Sequence, residues 1–489
     1  IVDIVTNLFP NVDTVDLKLT QFAHMIAQLT KYLLGIRSLD DRDSWANKRL
    51  DSAGRQLEQL FNIMWDTHLE EKAKNESHGV ASYGAMNMEK DLIAAFNPGA
   101  WGAKKKGKKE NYVDILKRVT FLDVLQQVTK VNTPTSRRTP TQSVRSVQPT
   151  QLGIIDPFES PEGDTIGLVK NLAYNCHISL ETDPQHVTNI IEQYVGDLCF
   201  AFDERPAAYT YPILVDSVIK YWVMPERVEE MMQTLLMHRR QGDIEKDVCI
   251  FMSESYGQIE IYCNSTRPTH PVLLVNPETQ ELVIEEKGLY PDDLFVKKEG
   301  ETEKQMLNRV FTKLVKNGCV EYLDAREQEF VILAENPRIF KLKKQERQQL
   351  LELLPTLTDR KDIDFVKQKI ADIPIYTHCC VDSTDMFSIM CSLAPKANHQ
   401  QGPRTSYQAG MIRQSLGMYH SVHWKRFDVG YKILLYPSRP LFEVQMARIA
   451  KLNDMPSSLN AVVSYQALPG NQEDGIIMNE DAIRKFQLI

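Results

Sequence analysis

The sequence lacks several patterns that mark common classes of protein. No run of eighteen or more apolar residues occurs, so we expect no transmembrane helix and no membrane partner. The eight cysteines include no C-x-x-C pair, the spacing typical of tetrahedral zinc sites. We therefore predict reduced, mostly buried thiols of an intracellular protein, with no zinc in this segment. The absence of a D-x-D-x-D cluster argues against metal-dependent catalysis by this chain alone.

Size and charge narrow the possibilities further. At 489 residues the chain exceeds one ordinary core, and about three or four modules are expected. The formal net charge of −8 argues against a wholly nucleic-acid-binding surface but allows local basic strips. The chain begins Ile-Val-Asp, without a methionine or a signal-peptide pattern, and we expect a fragment or a processed product.

Apolar periodicity predicts helices in residues 1–75, around a charged loop at 39–54. That loop, LDDRDSWANKRLDSAG, suits a solvated turn fixed by its own ion pairs. Further helices are predicted at 111–130, at 228–240 and, as a pair interrupted near Pro355, at 340–372. Strands are predicted at 207–215, 218–223, 249–252, 259–263, 272–275 and 329–333.

Two basic stretches are candidates for contact with phosphate. KKKGKK, at 104–109, is either a phosphate contact or a mobile solvated loop. The proline-rich loop at 132–150 has no acid anywhere between Asp123 and Asp156. Its arginines are Arg137, Arg138 and Arg145. Because long polar loops are usually functional or disordered, the lack of acids favours a loop that faces nucleic acid.

The stretch GPRTSYQAGMIRQSLGMY, at 402–419, predicts a cationic helix entered from a loop. Between 402 and 439, six bases stand against one acid. Groups suited to stacking and hydrogen bonding, interleaved with these bases, are Tyr407, Gln408 and Gln414. Arginine grips phosphate and tyrosine stacks on bases or sugars, while Met411 and Leu416 are expected on the packing side. A polar-faced surface helix has the same pattern, so spacing alone leaves both interpretations open.

NQEDGIIMN, at 471–479, places two adjacent carboxylates, Glu473 and Asp474, in a turn before an apolar run. We expect that run to form a strand anchored in a core, which holds both acids rigidly. Two carboxylates contribute to a Mg²⁺ site whose other ligands are water and substrate phosphates. Solvated Glu-Asp turns are common, and the pattern alone leaves this role open.

Several long segments resemble, in order, the second-largest (β-type) subunit of multisubunit DNA-directed RNA polymerases. LDDRDSWANKRLDSAG is similar to the lobe motif of the eukaryotic, archaeal and viral versions. NTP with its arginine-bearing loop, followed by PFESPEGDTIGLVKNLA, resembles the fork. STRPTHPVLLV and EYLDAREQE resemble the external modules. The segments similar to the entrance of the hybrid-binding module are YTHCCVDS, APKANHQQGPRTSYQAGMIRQSLG, YPSRPL and GNQEDGIIMN.

The departures from the family pattern indicate a divergent member. They are serine for threonine at Ser160, histidine for a common arginine at His270, and changes at Gly402, Thr405 and Arg413. These changes resemble viral versions, and a large DNA virus is the expected source. The family's N-terminal protrusion, its active-site lysines and its zinc-bearing clamp have no counterpart here, so we expect a partial chain or a naturally split subunit.

The resemblance implies an α+β multidomain chain with a helical lobe, mixed α/β external modules and the start of a β-rich hybrid-binding barrel. The implied modules are the C-terminal part of the lobe at 1–83, the fork region at 84–175, external module 1 at 176–285, external module 2 at 286–372 and the start of the hybrid-binding module at 373–489.

The implied activity is that of a DNA-directed RNA polymerase, a nucleotidyltransferase active only with the largest subunit and the rest of the β-type subunit. Arg404 matches a base that contacts the incoming triphosphate, and Tyr407 lies in the same pocket. Glu473 and Asp474 match acids near a second Mg²⁺, shared with the largest subunit. The implied nucleic-acid-binding residues are Arg137, Arg138, Arg145, Glu162, Gln408, Arg413 and Gln414.

Implied partners are the largest subunit, the remaining β-type segments, assembly subunits, DNA template, RNA transcript and nucleoside triphosphates. The implied location is intracellular, in the nucleus or, for a virus, in a replication compartment or virion. Two alternatives stay open: a non-catalytic β-like scaffold or nucleic-acid-binding fragment, and a self-contained nuclease or nucleotidyltransferase that uses Glu473 and Asp474. Retention of Arg404 and both acids argues against the first, and the missing aspartate cluster argues against the second.

Overall fold

The computed structural model describes residues 8–9, 12, 14–77, 88–99, 101, 112–135, 142–206, 209–357, 360–417, 422–427, 434, 436–470, 472 and 475–486. The chain divides into two compact units. Unit 1 combines Ile1–Arg49 with Asn132–Ser388, and unit 2 combines Leu50–Val131 with Ile389–Ile489. Helices occur beside mixed sheets, in agreement with the predicted α+β class. No closed barrel occurs within the described ranges, and the hybrid-binding barrel stays a prediction.

Most of the helices and strands are short. In chain order the α-helices are α1 (Val15–Leu33), α2 (Ala53–Ser77), α3 (Met88–Phe96), α4 (Phe121–Thr129), α5 (Pro184–Glu192), α6 (Val228–Gln241), α7 (Val283–Glu286), α8 (Pro291–Leu294), α9 (Glu303–Lys316), α10 (Ala325–Gln328), α11 (Pro337–Leu353), α12 (Arg360–Asp372), α13 (Ile389–Ser392), α14 (Gly402–Arg413), α15 (Gln445–Ile449) and α16 (Glu480–Phe486). The strands are β1 (Lys130–Asn132), β2 (Val169–Asn171), β3 (His177–Ile178), β4 (Cys199–Ala201), β5 (Tyr211–Val215), β6 (Val218–Val223), β7 (Cys249–Ser253), β8 (Gln258–Tyr262), β9 (Pro268–Asn276), β10 (Glu281–Leu282), β11 (Val320–Asp324), β12 (Leu333–Ala334) and β13 (His378–Cys379).

The helix predicted at 111–130 is wrong in its first half, because α4 begins only at Phe121. The side-chain amide of Gln127 binds the preceding backbone instead. It accepts from the Lys117 N–H at 2.8 Å and donates to the Ile115 carbonyl at 2.7 Å. These bonds fix 115–117, which is not helical, beside α4. The predicted helices in 1–75, at 228–240 and at 340–372 are confirmed as α1 and α2, α6, and the pair α11 and α12.

The first sheet of unit 1 has the strand order β4-β6-β5-β8-β7. Asp216 and Ser217 join β5 to β6, and both have positive φ, which a two-residue hairpin turn requires. One face packs on α5 and α6 through Ile191, Met231 and Leu235, all fully buried. The opposite face has its own apolar cluster of Leu214, Ile219 and Trp222. Burial on both faces explains why β5 and β6 are almost continuously apolar.

The second sheet is organised around β9, which pairs with β3, β10, β11 and β13. The sequence predicts this strand only at 272–275, whereas it begins at Pro268 and includes Pro271. Proline cannot donate to a sheet ladder. The pairings of β3 and β13 leave positions 270–272 without a strand partner on the side opposite β11. Pro271 is tolerated at such a gap. The strand predicted at 329–333 shrinks to β12, since the Phe330 N–H donates to the Glu327 carbonyl and prolongs the turn after α10.

A buried network of charges joins the two sheets of unit 1. Glu321 on β11 is 5% exposed and accepts hydrogen bonds from His378, at 2.8 Å, and from Arg240. Arg239 on α6 pairs with Glu327 of α10. Burial alone raises the pKa of Glu321, but the His378 hydrogen bond and the Arg239 and Arg240 charges bring it well below its usual value. The carboxylate is therefore charged and compensated from three sides.

The prediction that the thiols are mostly buried is confirmed. The eight cysteines are free, and they are buried except for the half-buried Cys176 and Cys380. Among the described helices, none combines the length and the apolar character that crossing a bilayer requires.

We expect Glu321→Ala to lower the free energy of unfolding by about 3–5 kcal/mol, because it leaves buried cations without their counter-charge. The exposed Glu278→Ala is the matched control and should change it by less than about 0.5 kcal/mol. Urea denaturation of the full chain measures both. Equal effects of the two variants would contradict a structural role for the network.

Candidate nucleic-acid interface

The helix α14 carries most of the candidate residues of unit 2. Gln401 precedes it in an extended conformation, and Pro403 occupies the first turn, where a missing N–H costs nothing. Thr405 and Ala409, one turn apart, are its fully buried residues. This narrow face of small side chains packs toward α13 and α4. The predicted loop-to-helix geometry is confirmed, whereas Met411 is 59% exposed and the prediction that it packs inward is wrong.

Arg404 and Tyr407 lie on the outer face of α14. Both side chains are exposed, and the guanidinium carbon of Arg404 lies 5.2 Å from the centre of the Tyr407 ring. Gln408, the next residue, is half-buried. A guanidinium against an aromatic face is partly pre-organised yet keeps its donors directed outward. The arrangement can bind a phosphate and stack against a base or sugar.

Arg413 has a different environment at the other end of the helix. Its Nη1 donates to the Gln126 side chain at 3.4 Å, and its Nε lies 3.8 Å from an Asp123 carboxylate oxygen. Its carbonyl accepts from the Thr120 hydroxyl at 2.9 Å. That hydroxyl also caps α4 by accepting from the Asp123 N–H. Arg413 therefore fixes α14 against α4, and Gln414, the exposed residue that ends the helix, follows it.

The candidates Arg145 and Glu162 belong to one turn region of unit 1. Arg145 Nη1 donates to the carbonyls of Asp164, at 2.9 Å, and Ile166, at 2.7 Å. Gly167 has φ +70°, and a Cβ there would lie 2.4 Å from the Arg145 carbonyl oxygen. Glu162 is exposed just before this turn. Arg145 thus holds the turn in shape, while Glu162 faces solvent.

Several candidates lie outside the described residues. They are Glu473, Asp474, Arg137, Arg138 and the lysines at 104–109. The apolar run after the two acids is described and is not a strand. Ile476 and Ile477 are 84% and 58% exposed, and Met478 precedes α16 by two residues. The prediction that this apolar run forms a strand anchored in a core is therefore wrong for the described residues of unit 2.

Sequence patterns did not predict the contacts between the segments of unit 1 that carry the family resemblance. Arg326 of EYLDAREQE donates to the Ala46 carbonyl at 3.0 Å and to Glu260 at 3.2 Å. In the charged loop, Asp40 pairs with Arg37 and Tyr256, and Arg49 donates to backbone carbonyls. The predicted ion pairs among the loop's own charged residues are therefore wrong for Asp40 and Arg49. The contacts of Arg326 with Ala46 and Glu260, and of Tyr256 with Asp40, join distant parts of the sequence, and no local pattern indicated them.

An open groove of about 730 Å³ lies in unit 1, between α1, the loop at 40–47 and the first sheet. Its charged lining is mostly acidic, from Asp40, Asp41, Glu254, Glu260 and Glu329, with Arg326 as the cation. Carboxylates repel phosphate, so the groove does not suit a nucleic-acid backbone. The outer face of α14 is the better candidate interface.

Three family models match this chain in order. They describe RNA polymerase Rpb2 domain 3 at residues 114–178, domain 5 at 311–382 and domain 6 at 390–486. The chain is 27% identical to the RNA polymerase II subunit RPB2 of Eremothecium gossypii, over 94% of this chain and 38% of that protein. It is 28% identical to the RPB2 of Encephalitozoon cuniculi, over 97% of this chain and 40% of the relative.

An archaeal relative gives the same result. The RNA polymerase subunit Rpo2 of Sulfolobus acidocaldarius is 27% identical over 95% of this chain and 38% of its own length. The chain thus spans about two-fifths of the length of the curated relatives that it matches. These matches support a chain of the Rpb2 type.

Comparison of Arg404→Ala with Arg413→Ala distinguishes an exposed arginine of α14 from one that holds the helix in place. Arg413→Ala should lower the free energy of local opening of α14 and α4 by about 1–2 kcal/mol, because it removes half-buried polar contacts. Arg404→Ala should change it by less than about 0.5 kcal/mol. Hydrogen exchange of the backbone amides in both helices measures the difference. Faster exchange of α14 in Arg404→Ala than in Arg413→Ala would contradict the assignment.

Proposed function

We propose that this chain is part of the second-largest subunit of a DNA-dependent RNA polymerase, and that it helps to form the active centre and the DNA/RNA hybrid channel. The observation that carries the proposal is the ordered match to Rpb2 domains 3, 5 and 6. The last of these matches spans α14, where Arg404 and Tyr407 are exposed together. The reaction class is nucleotidyl transfer, with release of pyrophosphate.

Arg404 is the residue proposed to contact the incoming nucleoside triphosphate. Its planar guanidinium offers paired donors that fit phosphate oxygens, and no acid competes for it in the described contacts of α14. Negative charge spreads over the transferred phosphoryl group during the reaction, so fixed positive charge stabilises the transition state. Tyr407 is proposed to orient this guanidinium and to line the same pocket.

Gln408 and Gln414 are proposed to contact the RNA of the hybrid. Arg413 is proposed to support them by holding α14 against α4, because its guanidinium is already directed at Gln126 and Asp123. In unit 1, Arg145 is proposed to hold the turn that presents Glu162 to nucleic acid. Arg137 and Arg138 are proposed to contact phosphates from the same loop.

Glu473 and Asp474 are proposed to help hold a second Mg²⁺, shared with the largest subunit. The ion would compensate charge on the triphosphate. The proposal further includes the largest subunit, the remaining β-type segments and assembly subunits as partners, together with DNA template, RNA transcript and nucleoside triphosphates. We also propose a large DNA virus as the source, and the nucleus or a viral replication compartment or virion as the place of action.

A β-like scaffold without a catalytic contribution is the alternative. The half-buried Arg413 and the turn-bound Arg145 fit a scaffold as well as an enzyme, because their contacts are internal. Arg404 distinguishes the enzyme from the scaffold, because its exposed guanidinium has no structural role comparable to that of Arg413. The experiment therefore concerns Arg404.

In the assembled enzyme we expect Arg404→Ala to slow single-nucleotide addition by about 100-fold, the scale seen when one transition-state donor is lost. Template affinity should change much less, because many phosphate contacts share it. Rapid-quench extension of a primed RNA on a DNA template measures the rate, and filter binding measures the affinity.

Two further variants complete this experiment. Arg404→Lys keeps the charge but not the paired donors, and it should recover only part of the rate. Arg360→Ala removes an exposed arginine from α12 of unit 1 and should behave as wild type. Equal losses of rate and template affinity in Arg404→Ala would show a binding or assembly role and would favour the scaffold.

A further inference from the structure

Three side chains with metal-binding atoms converge in unit 1, outside the residues assigned above. His270, Cys380 and Asp385 each bring one ligand atom to within 4.8 Å of the other two. His270 and Asp385 are buried, and Cys380 is half-buried. His270 lies 110 positions before Cys380 and 115 before Asp385 in the sequence, so only the fold brings it to the other two.

His270 is the most informative member of the cluster. It is 1% exposed, and neither of its ring nitrogens has a hydrogen-bond partner among the described residues. Burying a polar ring without partners costs free energy, and native proteins rarely tolerate it. The ring also occupies space that a glycine leaves free, since a Cβ on Gly153 would lie 2.4 Å from two of its atoms. The imidazole is held in place by packing, with Nδ1 against Gly153 and Nε2 on the side of the Asp385 carboxylate.

The separation between His270 and Asp385 suits two ligands of one ion. Nε2 of His270 lies 3.8 Å from an Asp385 carboxylate oxygen, which is too long for a hydrogen bond. Two ligands at tetrahedral angles, with bonds of about 2.0–2.2 Å to nitrogen and oxygen, lie about 3.4 Å apart. A movement of a few tenths of an ångström therefore converts this pair into a coordinating pair.

The surrounding backbone holds the ligands in position. His270 lies on the central strand β9, opposite Leu323 of β11. The Cys380 N–H donates to the Ala334 carbonyl at 2.9 Å. The Asp385 carboxylate accepts from the Val381 N–H at 2.9 Å and from the Tyr174 hydroxyl at 2.9 Å. Such support from outside the ligand set is typical of built metal sites.

We propose that His270, Cys380 and Asp385 bind a Zn²⁺ ion. Imidazole nitrogen, thiolate sulfur and carboxylate oxygen are the three ligand types that zinc takes in proteins, whereas Mg²⁺ and Ca²⁺ take oxygen. Three protein ligands leave the fourth tetrahedral position to water, at the half-buried side of Cys380. The ion ties β9 to the segment that follows β13 and supplies the partner that the His270 ring otherwise lacks.

Zinc content and Co²⁺ substitution of the full chain, purified in its native assembly, test the proposal. We expect His270→Gln and Cys380→Ala each to lower the zinc content by one equivalent per chain relative to wild type. Their affinity for added Zn²⁺, titrated against a chromogenic chelator, should fall by more than about 100-fold, the upper limit for loss of an outer partner. Co²⁺-loaded wild type should show a thiolate-to-metal absorption band that Cys380→Ala lacks.

Cys319→Ala, which removes a buried thiol outside the cluster, is the matched control and should bind zinc as wild type does. Cys380→His replaces the thiolate by another zinc-binding side chain, so it should retain zinc but lose the thiolate-to-metal band. This variant tests the proposal even if the other variants fail to fold. The proposal would be overturned if wild type, His270→Gln and Cys380→Ala contained equal amounts of zinc. It would also be overturned if the wild-type chain lacked the equivalent of zinc assigned to this cluster. Because metal content is read without any assay of RNA synthesis, failure here is distinct from failure of the proposed function.

Discussion

The compensation of one buried carboxylate, Glu321, is the interaction on which unit 1 depends. Its strand, β11, pairs with β9 along five consecutive positions. Its side chain is bound by an arginine from α6 and by the histidine of β13. A buried charge of this kind contributes little net stability when fully paired but costs several kcal/mol when one partner is lost. A different arrangement of the two sheets would separate these groups and leave a charge buried without its partner.

The same principle divides the arginines of the polymerase-like segments into those that pair within their own unit and those that stay exposed. Arg267, which is 1% exposed, lies 3.6 Å from Asp324 and donates to the Tyr262 carbonyl at 3.0 Å. Arg326 and Arg413 likewise direct their donors at groups within their own unit. Arg404 differs because its side chain is exposed on a helix whose buried face consists of small residues. The matched segments thus contain both buried residues that hold the fold and exposed residues that are proposed for the site, and burial distinguishes the two groups.

The parts of the fold that local chemistry determines were predictable from the sequence. β6 has the predicted bounds, and α6 ends one residue beyond its predicted end, at the glycine that closes it. The failures have nonlocal causes. The Gln127 amide replaces helical bonds at Ile115, and a gap in the neighbouring strands admits Pro271 to β9.

The candidate site was predictable in part. The pattern around Arg404 indicated a cationic helix and the structure has one, but its weak apolar periodicity did not reveal which side is buried. The absence of C-x-x-C spacing predicted no zinc, yet His270 and Cys380 meet only because β9 and β13 are neighbours in one sheet. Sequence spacing detects side chains that are grouped on one loop and misses a cluster that the pairing of distant strands brings together.

The central claim is that this chain works inside a multisubunit RNA polymerase. Gentle native purification through the chain, followed by intact mass measurement and RNA extension on a primed scaffold, tests it most directly. The account predicts co-purification of a largest-type subunit and Mg²⁺-dependent extension by the assembly. A chain that purifies alone, binds nucleic acid and extends nothing would contradict it in favour of a scaffold, and extension by the lone chain would contradict the shared active centre.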